Sequence, residues 1–294
     1  MITIFGATGK VGGSAAQELR RQGIPVRAVV RDLTKAKNLA GAGCELSRAD
    51  LHDVRSIIAA LDGATCALVI CPMTPKAPDA LVEPWLTIDA LSEALKEVTP
   101  QYIVAVSDYG AQHATGTGVA AIFHRLEQRL GSTGIAATFL RSCEQMQNWI
   151  RFLSLVTKDG FLPIFHQPRT RMLPLISGLD AGRIAGELLS RPPVQKGRVN
   201  VVHVEGPQRY SPNDIVDALQ TLAGRLVTGQ EIPRKNWIPR LLAAGLSESY
   251  AQLVAGMYDA HNAGRIEVEP GGEIRRGSTP LIDGLAQIFP APPW

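Results

Sequence analysis

The first thirteen residues contain the feature that most limits how this chain can fold. An apolar run at residues 2–5 leads into glycines at positions 6, 9 and 12, and good helix formers follow at 14–19. This G-x-x-G-x-x-G spacing is a variant of the dinucleotide-binding fingerprint. In that fingerprint the first glycine permits a tight strand exit, the second lets a pyrophosphate approach, and the third lets helix and strand pack closely.

The same segment predicts a phosphate site. A helix beginning near Lys10 would point its first N–H groups and the positive end of its dipole at the phosphates. The alternative is a strand–turn–helix of structural importance only, because turns use glycine in many contexts. We favour dinucleotide binding, with the cofactor contacted by these residues of the turn and first helical turn: Gly6, Thr8, Gly9, Lys10 and Val11.

Composition narrows the class of protein. The chain has 294 residues, 45% of them hydrophobic, enough for a large α/β core. Its net charge of +3 comes from dispersed Lys and Arg, which does not favour nucleic acid as a partner. No signal peptide or apolar run of the ~18–20 residues needed for a membrane span is visible, so we expect no membrane partner and a cytoplasmic protein.

The cysteines indicate a reducing compartment. Cys44, Cys66, Cys71 and Cys143 form no C-x-x-C pair and have no regular spacing. Such a pattern is typical of reduced thiols and not of a disulfide framework or zinc site. We expect no metal centre.

Alternating strands and helices predict a Rossmann-type doubly wound parallel sheet. The predicted strands are 2–5, 26–30, 44–47, 66–70, 102–106 and 137–140, with helices near 11–22, 34–40, 54–61, 84–97 and 120–130. Residues 1–150 would form the dinucleotide-binding domain. A strand at about 197–206 would return to the sheet, and the rest of 151–294 would form mainly a smaller substrate-binding α/β cap.

Arg31 indicates which dinucleotide is bound. It directly follows the second strand, where a guanidinium can contact a ribose 2′-phosphate, and Lys35 adds positive charge nearby. This favours NADP(H). One alternative takes Asp32 as the ribose ligand of NAD; the other takes Arg31 and Asp32 as a solvated pair without function.

Other cofactor contacts are predicted at the ends of later strands, where ligands of such sheets bind. Asp50 and Leu51 would reach the adenine edge, although Asp50 could instead be an ordinary loop aspartate. Cys71 and Pro72 would line the nicotinamide-ribose side, and Ser107 would open toward the nicotinamide.

Catalytic and substrate contacts are harder to place, because none of the five tyrosines has a lysine four residues later. The Tyr-x-x-x-Lys dyad of ordinary short-chain dehydrogenases is therefore absent. Tyr109 and His124 are candidate proton donors, with a half-buried helical histidine or a cofactor contact as alternatives for His124. Substrate contacts are predicted at Met73, Tyr109, Met146, Asn148 and Trp149. Of these, Met73, Met146 and Trp149 also suit core packing.

Several segments together resemble the NmrA-like branch of the atypical short-chain dehydrogenase/reductase superfamily. They are 6–12, 26–32, 49–51, 132–141, 145–149 and 246–264. The likeness covers nearly the whole chain and is nearest to bacterial NADPH-dependent quinone and triphenylmethane-dye reductases. It implies an NADP(H)-binding Rossmann domain, a small C-terminal cap and a substrate cleft between them.

One departure from that family concerns the helix after the fifth strand. Many members carry Lys or His four residues before the glutamate that matches Glu127, but this chain has Phe123 there. We expect an NADPH-dependent reductase of a small, flat, conjugated molecule, with a homodimer left open. The alternatives are a non-catalytic NADP(H)-sensing regulator that binds a partner protein, and an NADP-dependent isomerase or dehydrogenase.

Overall fold

In the computed structural model, which describes residues 1–193 and 197–289, the first half of the chain alternates strand and helix. Its elements are β1 (Ile2–Phe5), α1 (Lys10–Arg21), β2 (Val26–Val30), a 3-10 turn (Leu33–Ala36), α2 (Lys37–Gly41), β3 (Glu45–Arg48), α3 (Val54–Leu61), β4 (Cys66–Val69), α4 (Val82–Val98), β5 (Tyr102–Asp108), α5 (Ala120–Gly131) and β6 (Ala136–Ser142).

The second half is less regular and contains shorter elements. They are β7 (Glu144–Gln145), a 3-10 helix (Met146–Phe152), α6 (Leu153–Asp159), β8 (Phe161–Ile164), β9 (Leu175–Ile176), α7 (Gly178–Ser190), β10 (Val199–Glu205), α8 (Pro212–Ala223), β11 (Thr228–Glu231), a 3-10 turn (Arg234–Asn236), α9 (Trp237–Ala243), α10 (Glu248–Asn262), β12 (Glu273–Arg276) and α11 (Leu281–Ala286).

Eight strands form one parallel sheet in the order β12-β10-β6-β5-β4-β1-β2-β3. Every residue of β1 and β4 is buried, as expected for strands covered by helices on both faces. After β1 the chain adds β2 and β3 on one side of it and then adds β4, β5 and β6 on the other side. This reversal of strand order between β1 and β4 leaves a crevice at the carboxyl ends of the strands. The predicted doubly wound Rossmann-type sheet is confirmed.

Helix α7 packs against α1 on one face of this sheet. A Cβ atom on Gly182 would lie 2.2 Å from the Val11 carbonyl oxygen, so only glycine permits this separation of the helices. Thus β10 and β12 are strands of the large sheet and α7 packs against one of its faces, although all three belong to the range 151–294. We use the name cap for the other elements of that range, and residues 194–196 and 290–294 lie outside the described residues.

The cap has its own aromatic core, formed around α10. Phe165 stacks on Tyr258 with ring centroids 5.1 Å apart, and Phe152 stacks on Phe165 at 5.7 Å. The Trp237 indole N–H donates a hydrogen bond to the Ile232 carbonyl oxygen at 2.6 Å, which satisfies its buried polar atom. Because of this core, α10 is held beside the crevice at the strand ends.

The four cysteines are buried and none is disulfide-bonded. In residues 1–193 and 197–289, no helix has both the length and the apolarity required to cross a bilayer.

Candidate functional site

The glycine turn has the geometry that its sequence predicts. Gly6 has a φ of +74°, a value that L residues with side chains rarely adopt. The Gly9 backbone N–H donates a hydrogen bond to the Gly6 carbonyl oxygen at 3.0 Å, which closes the turn. A Cβ atom on Gly12 would lie 2.4 Å from that same oxygen, so Gly12 allows α1 to begin directly against the turn.

The N-terminus of α1 is open to solvent and carries no acidic residue. Gly9 is the N-cap and supplies no side-chain hydrogen bond to the first backbone N–H groups of the helix. Thr8, Gly9 and Lys10 are exposed, whereas the Val11 side chain is buried and only its backbone could contact a ligand. Free N–H groups, an uncompensated helix dipole and a lysine suit a phosphate group.

Three basic side chains gather where β2 and β3 end. Arg31 is exposed, and no described residue pairs with it. Strand register places Arg48 opposite Val30, and Lys35 follows in the next turn. Arg48 was missed in the sequence, because its position beside Arg31 depends on the pairing of β2 with β3. This basic cluster, Arg31, Lys35 and Arg48, can hold an additional phosphate group.

Asp32 caps the turn that follows β2, and its carboxylate is engaged there and not turned toward a cofactor ribose. Its carboxylate accepts hydrogen bonds from the Thr34 side chain at 2.7 Å and the Thr34 backbone N–H at 3.0 Å. These bonds, with smaller contributions from the charges of Lys35 and Arg48, lower the pKa of Asp32. The alternative in which Asp32 binds the ribose of NAD would require this cap to open.

Asp50 also has a local structural role. Its carboxylate accepts a hydrogen bond from the His52 backbone N–H at 3.0 Å, and its own N–H donates to the Ser56 hydroxyl at 3.0 Å. Asp50 remains exposed and Leu51 half-buried at the end of β3. Their contact with an adenine stays a prediction.

The loop after β4 contains three residues predicted to contact cofactor or substrate, and they lie in different surroundings. The Cys71 thiol is buried, which raises its pKa to about 12, and it faces the Pro84 carbonyl oxygen at 3.8 Å. Pro72 is exposed, and Met73 lines the cleft described next. Cys71 could therefore meet a cofactor through its backbone, not through its thiol.

A cleft of about 460 Å³ lies at the carboxyl ends of β5 and β6, under α10. Its apolar wall includes Met73, Val119, Phe123, Leu246, Val254 and Met257. Its polar groups include Ser107, Asp108, Glu144, Asn148, Arg151, Tyr250 and His261. The Ser107 hydroxyl donates a hydrogen bond to Glu127 at 2.6 Å, and Glu127 is paired with the buried Arg141 at 2.7 Å, so this hydroxyl is anchored at the cleft edge.

The two predicted proton donors do not line this cleft. Tyr109 is buried, and its hydroxyl donates a hydrogen bond to Glu205 at 3.1 Å, away from the cleft. Burial and the neighbouring charges of Cys143 and Glu205 raise its pKa far above the ordinary value. His124 is half-buried on α5, with Nδ1 at 2.8 Å from the Ala111 carbonyl oxygen. Neither residue lines the cleft in this structure, so the catalytic roles of Tyr109 and His124 and the substrate contact of Tyr109 stay predictions that the geometry of the cleft does not favour.

Two of the predicted substrate contacts also lie in the cap core. Met146 is fully buried against Gly284, and the Trp149 ring packs against Phe152 at 6.3 Å. Their substrate contact stays a prediction that this burial does not favour, and the burial itself depends on distant elements that the local sequence does not show. Asn148 and Met73 line the cleft, and their contact with a substrate stays a prediction.

A buried charged group lies at the base of the cleft and was missed in the sequence. His166 Nε2 lies 2.9 Å from a Glu144 carboxylate oxygen, and the His166 ring meets the His261 ring at 5.2 Å. Burial alone would raise the pKa of Glu144, but the hydrogen bond and charge of His166 lower it below the usual value. The pKa of His261 is lowered to about 3, first by burial and then by His166. Glu144 is therefore ionised and His261 neutral at pH 7.

The sheet order, the glycine turn and the crevice at the strand reversal together define a Rossmann-type nucleotide-binding fold. The sequence model of the NmrA-like family matches residues 1–276, and the chain belongs to this family.

The relatives of this chain include reductases. It is 26% identical to the NAD(P)H azoreductase of Xenophilus azovorans over 88% of this chain and 86% of that protein. The NADPH-dependent quinone oxidoreductase of Escherichia coli, solved with NADPH, superposes with a TM-score of 0.79 and 21% identity, covering 99% of this chain and 100% of that one. The Citrobacter sp. triphenylmethane reductase, solved with NADP(H), gives a TM-score of 0.78 and 20% identity over 98% of this chain and all of that one.

Proposed function

We propose that this protein is an NADPH-dependent reductase of small, conjugated, electron-poor molecules. The observation that carries the proposal is the position of the 460 Å³ cleft at the carboxyl ends of β5 and β6, on the same edge of the sheet as the open N-terminus of the glycine-turn helix. The azoreductase, quinone reductase and dye reductase named above support the same reaction class, since each acts on a conjugated acceptor.

The residues at the strand ends fit NADP(H). The free N–H groups at the start of α1 would bind the pyrophosphate, and the basic cluster would bind the ribose 2′-phosphate by charge-assisted hydrogen bonds. Asp50 and Leu51 would border the adenine. Ser107 and the backbone at Cys71 and Pro72 would border the nicotinamide, which supplies a hydride to an acceptor when the cofactor is bound.

The cleft residues would position the acceptor. Met73, Phe123 and Met257 offer apolar surfaces to a flat ring, and the thioethers of methionine adapt to different shapes. Asn148 could donate a hydrogen bond to an oxygen or nitrogen of the acceptor. Holding the two reactants in one orientation accounts for much of the rate enhancement expected of such a site.

Turnover is tested by NADPH oxidation under anaerobic conditions with a panel of quinones, an azo dye and a cationic triarylmethane dye. We expect oxidation with at least one class, at a rate that saturates with acceptor. Micromolar NADPH binding without turnover of any acceptor would overturn the proposal and favour the regulator alternative.

The location of the acceptor site is tested by two matched substitutions. Leu246→Trp would fill the cleft, whereas Leu242→Trp adds the same ring at an exposed position of α9 that does not line it. We expect L246W to lower kcat/KM for the acceptor at least about tenfold, with NADPH affinity retained, and L242W to leave both unchanged. Equal effects of the two variants would place the acceptor elsewhere.

A further inference from the structure

We propose that Asp108, at the end of β5, is the group that protonates the acceptor as it is reduced in the cleft. This inference rests on the proposed reductase function and names a catalytic residue for it. Tyr109 and His124, the donors suggested by the sequence, do not line the cleft, so a group that does line it is better placed to supply the proton.

Asp108 is placed where an acid would have to act. It is the last residue of β5, a central strand of the sheet, and its side chain lines the cleft where β5 and β6 end. Ligands of such sheets bind in the crevice outside these carboxyl ends. The Tyr109 backbone N–H interacts with its carboxyl group, and among the described residues no side chain donates a hydrogen bond to it, so the group can still bond to an acceptor.

The surroundings of Asp108 favour its protonated form. It is partly buried and shares the cleft with the ionised Glu144 of β7. Burial raises its pKa to about 7, with the Glu144 charge adding to the effect and the Tyr109 backbone N–H opposing it. The remaining charged or titratable groups facing the cleft are Lys76 from the β4–α4 loop, Arg151 from the 3-10 helix, Cys143 after β6, and Tyr250 and His261 from α10.

None of the buried alternatives combines an available proton with a suitable acidity. Burial raises the pKa of the Cys143 thiol and of the Tyr250 phenol above their ordinary values. His261 is neutral and Glu144 is ionised at pH 7, so neither is an acid there. A general acid is most effective when its pKa lies near the operating pH, which Asp108 alone of these groups satisfies.

For a quinone the step balances as follows. The acceptor gains two electrons and one hydrogen nucleus as a hydride from reduced nicotinamide, and one of its oxygens takes a proton from the Asp108 carboxyl group. The new O–H bond forms as the Asp108 O–H bond breaks, giving hydroquinone, oxidised cofactor and the Asp108 carboxylate. Solvent entering through the cleft then returns one proton to Asp108.

The acceptor itself supplies a decisive comparison. Reduction of a quinone consumes a proton, whereas a cationic triarylmethane dye becomes a neutral leuco dye by gaining only a hydride. With Asp108→Asn we expect kcat for the quinone to fall about 100-fold at pH 7, while kcat for the dye changes less than about threefold. The wild-type kcat for quinone should fall as the pH rises through about 7, and this dependence should be absent in the variant.

The matched control is Asp159→Asn, which changes an exposed aspartate at the end of α6.

The outcomes separate this proposal from the one on which it rests. Quinone turnover by D108N at the wild-type rate from pH 6 to 8 would overturn the role of Asp108 and leave the reductase intact. An equal loss with quinone and dye would also overturn it, because it would indicate a structural effect. If the wild type reduces no acceptor of the whole panel, including the azo dye, the reductase proposal fails.

A measurement without turnover tests the acid directly. In the protein labelled with carboxyl-13C aspartate, the NMR signal missing from D108N should titrate near pH 7. A titration near pH 4, as for an exposed aspartate, would exclude Asp108 as the donor whatever the acceptor experiments show.

Discussion

At the scale of single residues, the proposed contact between Arg31 and the 2′-phosphate would give a preference for NADPH over NADH. Its exposed guanidinium would lose a bidentate contact with the 2′-phosphate if it were replaced. We expect Arg31→Ala to raise the Kd of NADPH at least about tenfold and to change that of NADH little, because a hydrogen bond to a charged group contributes about 1.5–3 kcal/mol. Lys37→Ala, at an exposed position at the start of α2, is the control in calorimetric titrations. An unchanged NADPH Kd for R31A would contradict the assignment.

The raised pKa of Asp108 should also make the stability of the protein depend on pH. Its pKa is about 7 in the folded protein and near 3.8 when unfolded, so the folded state binds its proton more tightly. Asp108 therefore costs the fold little stability below about pH 4, where it is protonated. The cost grows as the pH rises toward 7 and is constant above the folded-state pKa. We expect Asp108→Asn to be more stable than the wild type by about 1–3 kcal/mol at pH 8 and equal to it at pH 4. Denaturant unfolding at the two pH values checks this, and a variant destabilised at pH 8 would contradict it.

At the scale of secondary structure, the close contact of α1 with α7 fixes the helix layer below the glycine turn. A methyl group at Gly182 would lie 2.2 Å from the Val11 carbonyl oxygen and 2.6 Å from the Ser14 Cβ atom. We expect Gly182→Ala to lower the free energy of unfolding by about 1–3 kcal/mol, because both contacts are with atoms fixed in the partner helix. Gly41→Ala, where no atom lies within 4 Å of the added carbon, should leave it nearly unchanged. Equal denaturation midpoints for the two variants would refute this account of the packing.

The sequence predicted those elements whose signals are local. The glycine turn, the buried strands and Arg31 at the end of β2 follow from residues within a few positions of one another. Gly178, Gly182 and Gly186 repeat every four residues on α7, and this local pattern also indicates close packing against another helix.

The cleft was predicted less well because its walls come from distant parts of the chain. Asp108 and Tyr250 are 142 positions apart and meet only because the cap core holds α10 over β5. Whether residue 108 or 109 faces the cleft depends on that packing, and Tyr109 instead turns to Glu205 of β10. The rule that ligands bind at the carboxyl ends of parallel strands did predict the edge of the sheet at which these residues lie.

At the scale of the whole molecule, cofactor binding should stabilise the fold in a way that depends on the glycine turn. A ligand at 100 times its Kd adds about 2.7 kcal/mol to the stability of the state that binds it. We expect NADPH to raise Tm, and NADH at the same concentration to raise it less. Gly12→Ala should abolish the NADPH shift, because a Cβ atom there would lie 2.4 Å from the Gly6 carbonyl oxygen and displace the turn. Identical shifts for the wild type and G12A would argue against this binding site.

The central claim is that NADPH bound at the strand ends reduces an acceptor held in the adjoining cleft. The most direct measurement is a single turnover, in which the protein with one equivalent of NADPH is mixed anaerobically with excess quinone or dye. We predict that the absorbance of the reduced nicotinamide decays in one exponential phase and that deuterium on the transferred position slows it. Persistent absorbance with every acceptor, while calorimetry shows the cofactor bound, would contradict the account.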